Sequence, residues 1–147
     1  MRILLFGLFL FFSFSGYSQL EKTIHQTFAV DKEPNIQLDI YGDYELIPWA
    51  GDHILTETNI QLYEASEGIL EHFLKIGRYE MVIDSTEGRF SLVSKDKERR
   101  SVKTSKGECY EFVNTKVFVP DAYGIVDKNN LIRKEGKTIA PTPDEGG

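Results

Sequence analysis

The chain has 147 residues, with 23 Asp and Glu against 17 Lys and Arg, a formal net charge of −6. That acidic balance excludes nucleic acid as the main partner, because phosphate binding needs a positive footprint. The lone cysteine, Cys109, excludes an internal disulfide and is expected to serve as a small buried hydrophobe.

The chain opens with Met1-Arg2, a short positive end, followed by the apolar run Ile3 to Phe14. Gly16 and Ser18 then set small residues at the −3 and −1 positions of a cleavage site before Gln19. Charge, apolar stretch and small-residue exit are the three parts of a secretory signal, predicted over residues 1–18. An apolar helix of that length reaches only about 18 Å, short of the roughly 30 Å of a hydrocarbon layer. No later segment is apolar enough to span a membrane, so no transmembrane segment is expected once the signal is removed. Gln19 stands where a lipoprotein would carry its lipidated cysteine.

Residues 22–30 alternate loosely and read as an edge strand ended by Pro34. Residues 36–41 alternate cleanly, Ile36, Leu38 and Ile40 against Gln37 and Asp39, the mark of a half-buried strand. Gly42-Asp43 separates this run from Tyr44-Glu45-Leu46-Ile47, and a Gly-X pair in that place predicts a type II′ hairpin closed by Pro48. After the turn Ala50-Gly51-Asp52, residues 53–63 form a long strand with Ile54, Thr56, Thr58, Ile60 and Leu62 on one face. The period then changes. Ile69, Leu70, Phe73 and Leu74 share a helical face, and Gly77 stands where a C-terminal capping glycine belongs, so one helix is predicted near residues 65–76.

Residues 79–84 and 89–94 are predicted strands flanking the loop 85–88. The run 95–106 reads as a long mobile loop, and 110–119 as the last clear strand, with Val113, Thr115, Val117 and Val119 on one face. Gly124 to Ile132 is expected to hold one weaker strand. The resulting fold class is mainly β: antiparallel strands, as a sandwich or a short truncated β-solenoid, with one helix near 65–76. A single domain is expected over 19–139, followed by a Pro-, Gly- and acid-rich tail over 140–147 that is expected to be disordered.

The segment Ile47-Pro48-Trp49-Ala50-Gly51-Asp52-His53-Ile54 carries a resemblance. With the strand pair before it, and the long strand and helix after it, the stretch from Phe28 to Val119 resembles the N-terminal part of the head GIN-domain family, exported adhesin-like proteins common in Bacteroidota. The resemblance implies a β-rich fold, often a β-solenoid, and no enzyme activity. Family members usually continue into Gly/Ser/Asp-rich coils. This sequence departs from them after Pro120, so a long stacked adhesive surface is not expected.

His25, His53 and His72 lack metal-ligand spacing and read as structural or surface residues. Asp39 and Glu45 fall on a solvent-facing strand phase, and Asp43 and Asp52 in turns, so they read as surface and turn formers rather than a paired acid and base. Trp49, the only tryptophan, has two readings: an exposed ring that stacks on a sugar, or a packing residue sealing the sheet end. Tyr41, Tyr44 and Tyr63 would extend an aromatic patch if they share its face. The run 95–106 is basic within an acidic chain, and its Lys97, Arg99, Arg100 and Lys103 are candidates to meet an anionic surface.

These readings point to a non-catalytic β-rich module with no cofactor, periplasmic or at the cell surface, adhesin-like or envelope-associated. The expected partners are envelope polysaccharide, lipopolysaccharide or an envelope protein. The alternative is a structural component of an envelope assembly, joined through a sheet edge. A carboxylate-based glycosidase would need two inward-facing carboxylates about 5–10 Å apart.

Overall fold

The computed structural model describes residues 19–135 except residues 32 and 106. The expected signal (1–18) and tail (140–147) lie outside the described residues. In chain order the elements are β1 (Leu20–Ala29), β2 (Asn35–Asp39), β3 (Tyr44–Trp49), β4 (His53–Tyr63), α1 (Glu67–Lys75), β5 (Met81–Asp84), β6 (Phe90–Ser94), β7 (Val102–Thr104), β8 (Gly107–Pro120), β9 (Tyr123–Asp127) and β10 (Asn130–Arg133). They form two sheets that pack as a sandwich with one helix, neither a closed barrel nor a solenoid. One sheet has the order β1-β4-β8-β3, with β7 also paired to β8, and the other β5-β6-β2-β10-β9.

Two pairings depart from the antiparallel expectation: β3 runs parallel to β8, and β2 parallel to β6. Both follow from a second correction. β2 and β3 do not form the expected hairpin. Gly42 does take the positive φ, at 86°, but the chain there steps from one sheet to the other. The reason is burial. Ile36 and Leu38 on β2 and Tyr44 and Leu46 on β3 join the same interior cluster, so the two apolar faces meet across the sandwich. Each strand then takes its backbone partners from distant segments. Pro48 does not end β3, which continues to Trp49. As an edge strand, β3 tolerates the missing N–H.

Two further expectations change. The run 95–106 is not all loop: Val102–Thr104 pairs with Gly107–Cys109, and Val102 packs against the core. The segment 124–132 holds two strands rather than one, joined where Asp127 accepts bonds from the Asn129 N–H and the Asn130 side chain. The long strand β4 matches its predicted bounds, with every second residue from Ile54 to Leu62 buried.

The interior divides in two. One cluster lies between the sheets and is built of Val30, Ile36, Leu38, Ile54, Leu92, Val117, Leu131 and their neighbours. The other lies where α1 covers the β1-β4-β8 face: Ile60, Leu62, Phe73, Tyr79 and Cys109. A side-chain amide links the sheets at one margin. Gln26 on β1 donates to the Met81 carbonyl (3.1 Å) and accepts from the Met81 N–H (2.9 Å), standing in for a backbone ladder partner of β5.

Candidate functional site

The charged cluster starts from a helix cap. Gly77 (φ 73°) ends α1, with the Gly77 N–H on the Leu74 carbonyl and the Arg78 N–H on the Phe73 carbonyl (3.0 Å), which is a Schellman motif. This cap delivers Arg78 onto the inner side of the sheet, and its guanidinium lies 4.8 Å from the Phe73 ring. Nε and Nη2 fork onto the two oxygens of Glu111 on β8, at 3.1 and 3.0 Å. Nη2 also donates to the Arg100 carbonyl (2.7 Å), and Nη1 to Asp96 (3.5 Å). The Tyr79 hydroxyl donates to Glu111 at 2.8 Å. Burial opposes the Arg78 charge, but the Glu111 fork outweighs it and holds the guanidinium above its usual range. Burial, then the bond to Glu111, raises the Tyr79 phenol. Burial, then the Glu111 charge, raises the Cys109 thiol.

Arg99 adds a second guanidinium, 5.2 Å from the Tyr41 ring and 5.4 Å from the Tyr79 ring. Among the described residues its buried Nε has no hydrogen-bond partner. Burial lowers its proton affinity, and the Glu111 charge opposes that shift. Two depressions open around this cluster. A groove of about 450 Å³ runs along Arg78, Lys95, Asp96, Lys97, Glu98 and Arg100. A cleft of about 200 Å³ is lined by Arg78, Arg99, Val102, Cys109, Tyr110 and Glu111 among others. On the outer face of the other sheet a groove of about 440 Å³ runs past Asn35, Gln37, Arg89, Val126 and Ile132.

The structure gathers some of the sequence candidates and separates others. Tyr41, Lys97, Arg99 and Arg100 surround the charged cluster, and Lys103 is exposed on β7, opposite Glu108. Trp49 and Tyr44 belong elsewhere. The Trp49 indole donates to the His53 carbonyl (3.0 Å) and meets the His53 and Phe118 rings edge-on. Gly51 lies beneath it so closely that a Cβ there would fall 2.2 Å from the indole. Tyr44 points to the interior side, its hydroxyl on the Lys128 carbonyl (2.6 Å), and its proton affinity is raised by burial and then by Asp127.

Sequence reasoning missed Arg78, Tyr79 and Glu111. One signal was present: counted back from Val113 and Thr115 at period two, Glu111 falls in the inward phase of β8. Among the described residues no group of three or more His, Cys, Asp or Glu is placed to hold a metal ion. Comparison with known protein families, curated proteins and solved structures returns no match.

Proposed function

We propose that this chain is an exported, non-catalytic binding module, adhesin-like or envelope-associated, that holds an anionic component of the cell envelope. The observation that carries the reading is the grouping of Lys97, Arg99 and Arg100 beside an open groove, in a chain whose net charge is −6. The groove wall sets Arg78, Lys95, Lys97 and Arg100 against Asp96 and Glu98, and the excess of positive charge attracts anions, an attraction screened by salt. The signal-like pattern of residues 1–18 and the resemblance to exported adhesin-like proteins support a periplasmic or cell-surface location. No described helix is long and apolar enough to cross a membrane.

The test is retention of the chain from Gln19 onward on immobilised lipopolysaccharide and acidic polysaccharide, with neutral polysaccharide as the control. Retention on the acidic supports is expected at low salt, falling steeply by about 0.3 M NaCl. Equal retention on neutral polysaccharide, or none at all, rejects the reading. A second reading, a structural piece of an envelope assembly, draws on the edge strand β9, where Ile125 is 41% and Val126 60% exposed. Light scattering on the purified chain, alone and with envelope extract, separates the two. A monomer throughout counts against the assembly.

A further inference from the structure

We propose that the outward face of β4 and β8, at Tyr63, Tyr110 and Phe112, is a flat platform for a neutral saccharide, with sugar rings stacked on Tyr110 and Phe112 and hydroxyls bonded to Gln61 and Asn114. The inference goes beyond the envelope-binding reading: it uses no charge, and it lies on the face of β8 opposite Glu111.

The pairing of β4 with β8 sets three aromatic rings on one face. Cys109, Glu111 and Val113 turn inward, so Tyr110, Phe112 and Asn114 turn outward. Across the strand pair Tyr63 lies opposite Tyr110, Gln61 opposite Phe112 and Asn59 opposite Asn114, all in the outward phase of β4. Tyr110 is 56% and Phe112 64% exposed. The Tyr63 ring meets Phe112 edge-on at 5.6 Å, which braces it. A single exposed ring is ordinary on a protein surface, but two in successive outward positions with a third across the strand form a patch. Tyr110 and Phe112 stand two residues apart, about 6.8 Å along an extended strand, and give footing to consecutive sugars.

What surrounds the rings selects the ligand. Gln61 accepts from the Tyr63 hydroxyl at 3.4 Å, and Asn59 donates to Glu21 (2.8 Å) and Thr23 (3.1 Å). Among the described residues the Gln61 Nε2 and the Asn114 side-chain amide make no hydrogen bond to protein. A wholly apolar partner would strip water from these amides and put nothing in its place, at a cost. A sugar meets both needs: its C–H face lies on an aromatic ring, and its hydroxyls exchange hydrogen bonds with the amides beside it. Charge points to a neutral sugar. Farther along the same face Glu57 is held by His25 and Lys116, both at 3.2 Å, and Lys103 stands opposite Glu108, so the charges that border the patch are balanced.

The test is NMR titration of the isotope-labelled chain from Gln19 onward with cellohexaose, laminarihexaose, mannohexaose and chitohexaose, in about 0.5 M NaCl to screen charge-driven binding. At least one is expected to bind with a Kd on the order of 1 mM, shifting the amide signals around Tyr63, Tyr110 and Phe112. Binding that weak keeps retention on neutral supports below that on acidic ones at low salt. Phe112→Ala and Tyr110→Ala, which trim exposed rings, are each expected to weaken it about fivefold or more. Binding of none of the four, undiminished binding by either variant, or shifts confined to another part of the fold overturns the platform. A parent chain that is dimeric in light scattering and turns monomeric on Phe112→Ala overturns the saccharide assignment, since the rings then meet a second copy. With charge screened, failure here leaves the envelope reading standing, and loss of retention on acidic supports leaves the platform standing.

Discussion

The two halves of the interior bury different chemistry. Between the sheets, Ile36, Leu38, Ile54, Leu92, Val117 and Leu131 form an apolar layer with nothing to neutralise. Beneath α1, the apolar residues Ile60, Leu62 and Phe73 adjoin a guanidinium, a carboxylate and a phenol joined by hydrogen bonds. The second arrangement is costly to assemble, since desolvating an ion pair offsets much of its attraction, and apolar residues of similar volume often serve as well. The first half therefore accounts for why the chain folds. The second half sets its ion pair beside an open cleft, where the proposed binding role would use it.

The largest expected effect tests the apolar half. Leu92 is fully buried, so Leu92→Ala removes transfer energy and leaves a cavity, at about 2–5 kcal/mol. Urea denaturation followed by circular dichroism measures it. A cost below about 1 kcal/mol would mean that this layer does not carry the fold. Next comes the ionic half. Glu111→Ala removes the fork from Arg78, which is only 7% exposed, and is expected to cost about 3 kcal/mol, the low end for a broken buried pair because Arg78 keeps the Arg100 carbonyl and Asp96. The double replacement Arg78→Met with Glu111→Leu is expected to recover most of that loss. If it recovers stability but abolishes polysaccharide retention, the contrast between the halves is sharpened. If it recovers neither, the ionic cluster is structural after all.

How legible each half was in the sequence follows from what alternation encodes. Period two states which face of a strand is buried, and β4 and the Ile36–Leu38 segment obeyed it. It does not state which strand lies alongside. Gly42-Asp43 meets the needs of a hairpin and of a step between sheets equally well, so local turn chemistry had no means of choosing. The partners of β2 and β3 lie far along the chain, at Phe90 and Thr115, and only the requirement to close one common core selects them. β9 and β10 were blurred because Ile125, Val126 and Ile132 are apolar yet exposed. At the site, Arg99 and Arg100 stood out as a basic run. Arg78 and Glu111 did not, because 33 residues of chain separate two side chains whose meaning lies in their contact.

The remaining effects are smaller and separate the halves by pH. In the ionic half, burial and Glu111 raise the Tyr79 phenol above its ordinary value of 10.0. The folded state then holds this proton more tightly than the unfolded chain. The stability it contributes is present below pH 10.0 and is lost as pH rises through the raised value. Tyr79→Phe should flatten this alkaline limb in denaturation curves taken across that range. A limb of unchanged slope would place the alkaline sensitivity at other groups, such as Tyr44.

The acid limb is the smallest effect and belongs to the exposed rims of both sheets. Asp52 is lowered by His53, Glu57 by His25 and then Lys116, Asp84 by Thr86, and Asp127 by Asn130 and then the Asn129 N–H. Their contribution is present above the ordinary values of 3.8 for aspartate and 4.5 for glutamate, and fades as pH falls through the depressed folded values. All four keep solvent contact, Asp52 and Asp127 being exposed and Glu57 and Asp84 half-buried, so added salt should shrink the part that comes from charge pairing at Glu57 and Asp52, while the hydrogen bonds at Asp84 and Asp127 persist. Melting temperatures between pH 5 and pH 3, with and without about 0.5 M NaCl, read this directly. An acid limb wholly erased by salt would mean that the Asp127 turn, which joins β9 to β10, adds nothing to the sheet it closes.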